Sequence, residues 1–206
     1  MFESANFGPR QRSLHLLNRL AFGPCPGDLD EIARIGAEPW IQQQLHPNSI
    51  LEPAELLQRI ASLSTLQMTP VELFARYQLP LQQLSKGDNE GKKRERQRAE
   101  VIVQQAAQAR LLRAIDSRRQ LQEVMTAFWF NHFNVFAGKG LCRLWVGSFE
   151  QNALRPHTMG RFRELLGATA RHPAMLFYLD NWKNTAPDAP ERAANSMAST
   201  RITRAS

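Results

Sequence analysis

The chain has 206 residues, of which 43% are hydrophobic, 8% aromatic and 22% charged, enough for one sizeable core and too apolar for disorder throughout. Lys and Arg number 26 against 19 Asp and Glu, a positive balance that attracts nucleic acid or anionic membrane without specificity. No run of 18 apolar residues occurs, and neither does a Gly-x-Gly-x-x-Gly turn, a phosphate loop, His-Glu-x-x-His or a nucleophile elbow, which removes the simplest membrane-spanning and enzymatic classes.

The charge is unevenly spread. Residues 1–80 hold 6 basic and 8 acidic groups, residues 81–120 hold 10 and 5, and residues 121–206 hold 10 and 6. The positive field therefore belongs to the second half. Cys25 and Cys142 stand in different segments without metal-ligand spacing, which gives no support for a disulfide scaffold or structural zinc. The opening MFESANFGPRQR lacks the sections of a secretory signal, so the expected compartment is the cytoplasm.

In chain order, residues 13–21 read as a short helix that ends at Phe22-Gly23-Pro24, followed by a turn through Pro26-Gly27. Asp28 is the expected N-cap, with Glu31 three residues on, of two short helices interrupted at Gly36 and Pro39. Glu52 to Leu66 and Val71 to Leu81 carry apolar residues at helical spacing. Residues 85–98, SKGDNEGKKRERQR, have almost no apolar content, and a mobile basic surface loop is expected near residues 85–97. A strong helix is expected from about Arg98 through Arg119, and its pattern continues over residues 120–133. Gly138-Lys139-Gly140 separates that region from Leu141 to Leu154; Arg155-Pro156 precedes a helix through Ala170, and Pro173 opens a last short one. No segment alternates long enough to require a sheet. The expected fold is all-α, an irregular multi-helix domain with short loops over residues 13–187 and a disordered tail over residues 188–206.

Phe128-Trp129-Phe130-Asn131-His132-Phe133-Asn134 sets one imidazole and two amides among large aromatics. Those polar groups can orient a ligand; alternatively, Asn131 and Asn134 cap the helix exit and His132 is a satisfied core residue. Asp180, Asn181 and Asn184 put a carboxylate and two amides at another helix exit, where they either cap backbone groups or offer oxygens to a hard cation. His132 and Asp180 are the candidate catalytic pair, and no metal ligand set or cofactor is assigned. Arg155, Arg161 and Arg163 are candidates for holding an anion, with ordinary surface charge as the alternative.

The residues resemble the large bacterial family of uncharacterised helical proteins known as DUF1800. His15-Leu16-Leu17-Asn18-Arg19-Leu20-Ala21-Phe22-Gly23-Pro24 looks like its start motif, and Arg118 to Met125 followed by Phe128-Trp129-Phe130-Asn131-His132-Phe133 is similar to its central signature. Gly160 to Leu166 and His172 to Asn181 match the next block, so the resemblance covers roughly residues 13–187. The polar motif residues carried over are Asn131, His132, Asp180, Asn181 and Asn184. Many relatives look exported and sit beside another uncharacterised family, DUF1501, so the resemblance implies a cell-envelope or periplasmic setting and a DUF1501-like protein partner. After Pro190 the family pattern continues with an acidic helix, whereas this chain reads Glu191-Arg192-Ala193-Ala194-Asn195, which suggests a truncated or frameshifted member.

Three functional readings follow. The first is a helical protein-interaction or assembly component that acts through exposed packing faces. The second is a metal- or ligand-dependent hydrolase-like enzyme that uses His132 and Asp180 with groups from a missing C-terminal half. The third is non-specific nucleic-acid binding through the basic loop.

Overall fold

The computed structural model describes residues 8–184, and among them every regular element is helical. The tail expected over residues 188–206 lies outside the described residues. Helix α1 (Pro9–Leu20) begins four residues earlier than its apolar pattern, because Pro9 occupies its first turn and the Gly8 N–H donates to Gln11 Oε1. Gly27, at φ +92°, turns the chain into α2 (Asp28–Ile35). Asp28 is thus the first helical residue rather than the N-cap, and its carboxylate accepts backwards from the Cys25 N–H at 2.7 Å. Gly36, at φ +94°, separates α2 from α3 (Ala37–Leu45).

Helix α4 (Ala54–Ala61) follows. Thr69 then opens α5 (Pro70–Leu73) with a reciprocal cap: the Thr69 N–H donates to Glu72 Oε2, and the Glu72 N–H donates to Thr69 Oγ1. A wider π turn (Phe74–Gln78) carries α5 into α6 (Leu79–Gln83).

The basic run differs from the expected mobile loop. Asp88 caps a 28-residue helix, α7 (Asn89–Asp116), by accepting from the Gly91 N–H, so Lys92 to Arg98 form its first turns. Gly91 and Ala99 are buried on its inner side while Lys93, Arg94 and Arg96 face solvent. The helix ends at Ser117, and α8 (Gln120–His132) begins after a short break that Glu52 holds: Ser117 Oγ and the Arg118 N–H both donate to its carboxylate. Helix α9 (Cys142–Ser148) runs into a second π turn (Phe149–Leu154), and α10 (Phe162–Arg171) and α11 (Pro173–Tyr178) complete the array. No helix among the described residues is long and apolar enough to cross a membrane.

The core has several centres. Leu17, Ile32 and Trp40 join α1, α2 and α3. Leu56, Ile60, Ala109 and Leu112 pack α4 on the second half of α7, and Leu73, Tyr77, Ile102 and Leu144 pack α5, the first π turn and α9 on its first half. The last cluster sets Cys142, Phe149 and Leu154 against Leu165, Ala174 and Met175. Trp129, Phe130, Phe133, Phe177 and Tyr178 lie on its margin. This last cluster positions the candidate residues.

Candidate functional site

Helical spacing puts Phe128 over His132 and Trp129 over Phe133 at the exit of α8. The His132 ring stacks on Phe128 with centroids 6.0 Å apart and meets Trp129 and Phe133 edge-on. Phe162, at the start of α10, closes on the same group, 5.7 Å from Trp129 and 6.4 Å from Phe133. Phe128 is 53% exposed and Phe162 54%, so two helices present a contiguous aromatic shelf. His132 is itself exposed rather than buried in the core. The helix exit is closed by the Phe133 N–H donating to the Trp129 carbonyl, and Asn131 and Asn134 are exposed beside it.

Asp180 ends α11 in a left-handed conformation, φ +58°, which a short Asp side chain tolerates. Its N–H donates to the Phe177 carbonyl. Lys139, from the glycine turn before α9, donates to the Tyr178 carbonyl and to Asp180 Oδ2 at 3.2 Å, and Lys183 lies 3.5 Å from Oδ1. The hydrogen bond from Lys139 is the chief reason that the Asp180 carboxyl is held below the ordinary carboxylate range. Asn184 Nδ2 donates to Asn181 Oδ1 at 3.4 Å, and Trp182 stacks on Phe177. Asp180, Asn181 and Asn184 thus share one local turn. Among the described residues no hydrogen bond, ion pair or ring contact joins that turn to His132, and no three His, Cys, Asp or Glu side chains gather into a metal-holding group.

The three candidate arginines divide. Arg155 turns inward: Nη1 donates to Glu123 Oε1 at 2.5 Å and Nη2 to Glu150 Oε1 at 3.3 Å. Glu150 Oε2 in turn accepts from Arg110 Nε and Nη2 at 2.8 and 2.6 Å, and Arg113 donates to Gln151. Burial lowers the Arg155 pKa, but the carboxylates of Glu123 and Glu150 outweigh it and hold the guanidinium above its ordinary value. Arg113, buried beside the positive Arg155, is instead pushed down to about 10. Arg161 and Arg163 face solvent on either side of Phe162.

Sequence reasoning passed over Glu123, Glu150, Arg110 and Arg113. The available signal was a charge set inside an apolar stripe: Glu123 follows Leu121, and Glu150 follows Phe149, with both carboxylate residues 4% exposed. The second π turn carries Glu150 and Gln151, and no residue pattern announces such a turn.

His172 and Ser148 also lie together in the interior. His172 Nδ1 accepts from the Ala174 N–H, so the proton sits on Nε2 and is donated to Ser148 Oγ at 3.4 Å, while Ser148 donates to the Trp145 carbonyl. This polarity caps α11 and leaves no base facing the serine hydroxyl. Burial pushes His172 down to about 4.

A family model described as a protein of unknown function, DUF1800, matches residues 15–195. No curated protein and no solved structure matches the chain. With the family pattern running through nearly all of its helices, the chain belongs to the DUF1800 family.

Proposed function

We propose that this chain is a helical docking domain without catalysis of its own, and that the shelf between α8 and α10 receives an amphipathic helix from a protein partner. The observation that carries this reading is the ring group in which Phe128, His132 and Phe162 are exposed over half-buried Trp129 and Phe133, because solvated aromatic surface of this kind is characteristic of interaction sites. Arg161 and Arg163 flank Phe162 and favour an acidic partner helix, which they would steer and orient. A DUF1501-like protein, the partner implied by the family resemblance, is the first natural source of such a helix. The hydrolase-like reading has less support, because His132 and Asp180 make no contact and the Asp180 carboxylate is occupied by Lys139 and Lys183. Nucleic-acid binding through Lys93, Arg94 and Arg96 rests on charge alone.

Fluorescence anisotropy with labelled peptides tests the docking reading. Two peptides share apolar anchors at i, i+3, i+4 and i+7 and differ in carrying Glu or Lys on their polar faces. The Glu peptide is expected to bind more tightly, and Phe128→Ser with Phe162→Ser to weaken it by about tenfold or more, equivalent to about 1.4 kcal/mol. Equal binding of both peptides, or binding indifferent to the two serines, defeats the proposal.

A further inference from the structure

A cavity of about 420 Å³, which shares no lining residue with the aromatic shelf, lies where α2, α3, the Ser49–Leu51 segment and the α7–α8 junction meet. That volume is in the range of small-molecule sites. Its walls are preorganised by two amides. Gln44 Nε2 donates to the Arg118 carbonyl and Gln44 Oε1 accepts from the Leu121 N–H. Gln120 Oε1 accepts from the Phe22 N–H, while Gln120 Nε2 donates to the Ala114 and Ser117 carbonyls. Both amides bond at oxygen and at nitrogen and both residues are buried, so the cavity is held open by bonds between distant segments rather than by loose packing.

Trp40 supplies the observation that points to a ligand. It is 6% exposed and lines the cavity, yet its indole N–H has no hydrogen-bond partner among the described residues. Nor is that N–H sealed inside protein, as Arg155 Nε and Thr158 Oγ1 are. An indole N–H that solvent reaches and no protein group engages is free to donate to a ligand in the cavity that Trp40 lines. The Arg118 side chain stands at the same wall, exposed and without an ion-pair partner among the described residues, and adds a second donor suited to a carboxylate. Opposite in charge are Asp28, which has one carboxylate oxygen engaged by the Cys25 N–H, and Glu31, which has no hydrogen-bond or ion-pair partner among the described residues. Asp116 is neutralised by Arg59 at 2.8 Å. Ile50, Leu51 and Ile115 complete the lining with apolar surface. Burial, followed by the charges of Asp28 and Asp116, pushes the Cys25 thiol up, so the group facing this space is a thiol and not a nucleophilic thiolate.

We propose that this cavity binds a free amino acid with an apolar side chain, its carboxylate on Trp40 Nε1 and Arg118 and its ammonium on Glu31 and the free oxygen of Asp28. A zwitterion suits this lining because donors and carboxylates occur together in it: a simple amine makes no use of the indole N–H and the guanidinium, and a simple acid makes no use of Glu31. The apolar lining takes the side chain.

Titration calorimetry on the full chain provides the test, with L-leucine, its methyl ester, N-acetyl-leucine and leucyl-leucine as probes. L-leucine is expected to bind saturably. The ester, which lacks the carboxylate, and the N-acetyl compound, which lacks the ammonium, are each expected to bind at least tenfold more weakly. Glu31→Gln and Arg118→Gln alter side chains that hold no wall in place, so they should fold normally by circular dichroism and each weaken leucine by about tenfold. Trp40→Phe keeps the ring and removes the donor; where it folds, a several-fold loss is expected, and where it does not, the two surface variants still decide. Absence of leucine binding to the folded chain overturns the proposal, as does binding that both surface variants leave unchanged. Equal affinity for N-acetyl-leucine or the ester overturns the zwitterion, and equal affinity for leucyl-leucine transfers the site to peptide termini and overturns the free amino acid. None of these outcomes touches the α8–α10 shelf.

Discussion

At Arg155 opposed electrostatic effects meet. Burial strips its guanidinium of water, and Glu123 and Glu150 restore more than burial removes. Breaking such a buried pair from one side leaves a carboxylate with no counterpart. Glu150 would retain Arg110, but Glu123 would lose its only ion-pair partner among the described residues. Arg155→Met is therefore expected to cost about 3–5 kcal/mol in urea unfolding at neutral pH, and adding Glu123→Leu should recover part of that loss because the orphaned charge is gone. His172 makes a pH prediction of the opposite kind. Its pKa falls from 6.5 to about 4 on folding, so the folded state resists a proton that the unfolded state accepts. The stability it contributes is complete above pH 6.5 and is lost as the pH falls toward 4, to the extent of about 2–3 kcal/mol. Carboxylates titrate in the same window, so the measurement is the difference from His172→Asn, which keeps an acceptor for the Ala174 N–H and should flatten this part of the profile. These residues were hard to read in advance because burial and pairing across 32 positions of sequence decide their behaviour. Phe128 to Phe133 were legible as an aromatic cluster, since they are neighbours on one helix, but the exposure of His132 was not.

At the level of elements, helical segments with an apolar stripe were legible, and the first turns of α7, which lack one, were not. Leu56 and Ile60 recur at helical spacing and are buried as that spacing requires. The first turns of α7 offer mostly charged side chains, and what holds them is local: the Asp88 carboxylate accepting from the Gly91 N–H at 2.7 Å, with Gly91 itself buried. A methyl group at Gly91 would lie 2.2 Å from Asp88 Oδ2, so cap and glycine are mutually dependent. Asp88→Ala is expected to cost about 1 kcal/mol. Hydrogen exchange should quicken at Gly91 and Lys92 and stay slow at Ile102, which lies in a core cluster; uniform protection across α7 would contradict a role for the cap. The π turns were illegible for a different reason: Phe149 to Leu154 has ordinary helix-forming composition, and only the tertiary demand for Glu150 to meet Arg110 and Arg155 reveals the extra residue in the turn.

For the whole molecule, the assembly of clusters matters more than any single helix. Helix α7 contributes to two clusters and reaches the last one through Arg110, whose guanidinium lies 3.8 Å from the Phe130 ring centroid and bonds Glu150. The α1–α3 unit is joined differently. Its own apolar residues, Leu17, Ile32 and Trp40, form a separate centre, and its attachment to the α7–α8 junction includes the paired bonds of Gln44 and the Phe22–Gln120 bond. Periodicity could show that α1–α3 have buried faces, but not that amide bonds spanning 74 to 98 residues fasten them. Gln44→Leu matches the volume and leaves the Leu121 N–H and the Arg118 carbonyl without their partner, a loss of about 1–3 kcal/mol for each buried group left unsatisfied. Because that loss falls at the attachment and not within either set of helices, unfolding should cease to be all-or-none. Hydrogen exchange is expected to rise across α1–α3 while Ile102 and Phe149, in clusters remote from the junction, keep their protection. A uniform rise across every helix would instead make α1–α3 part of one cooperative core.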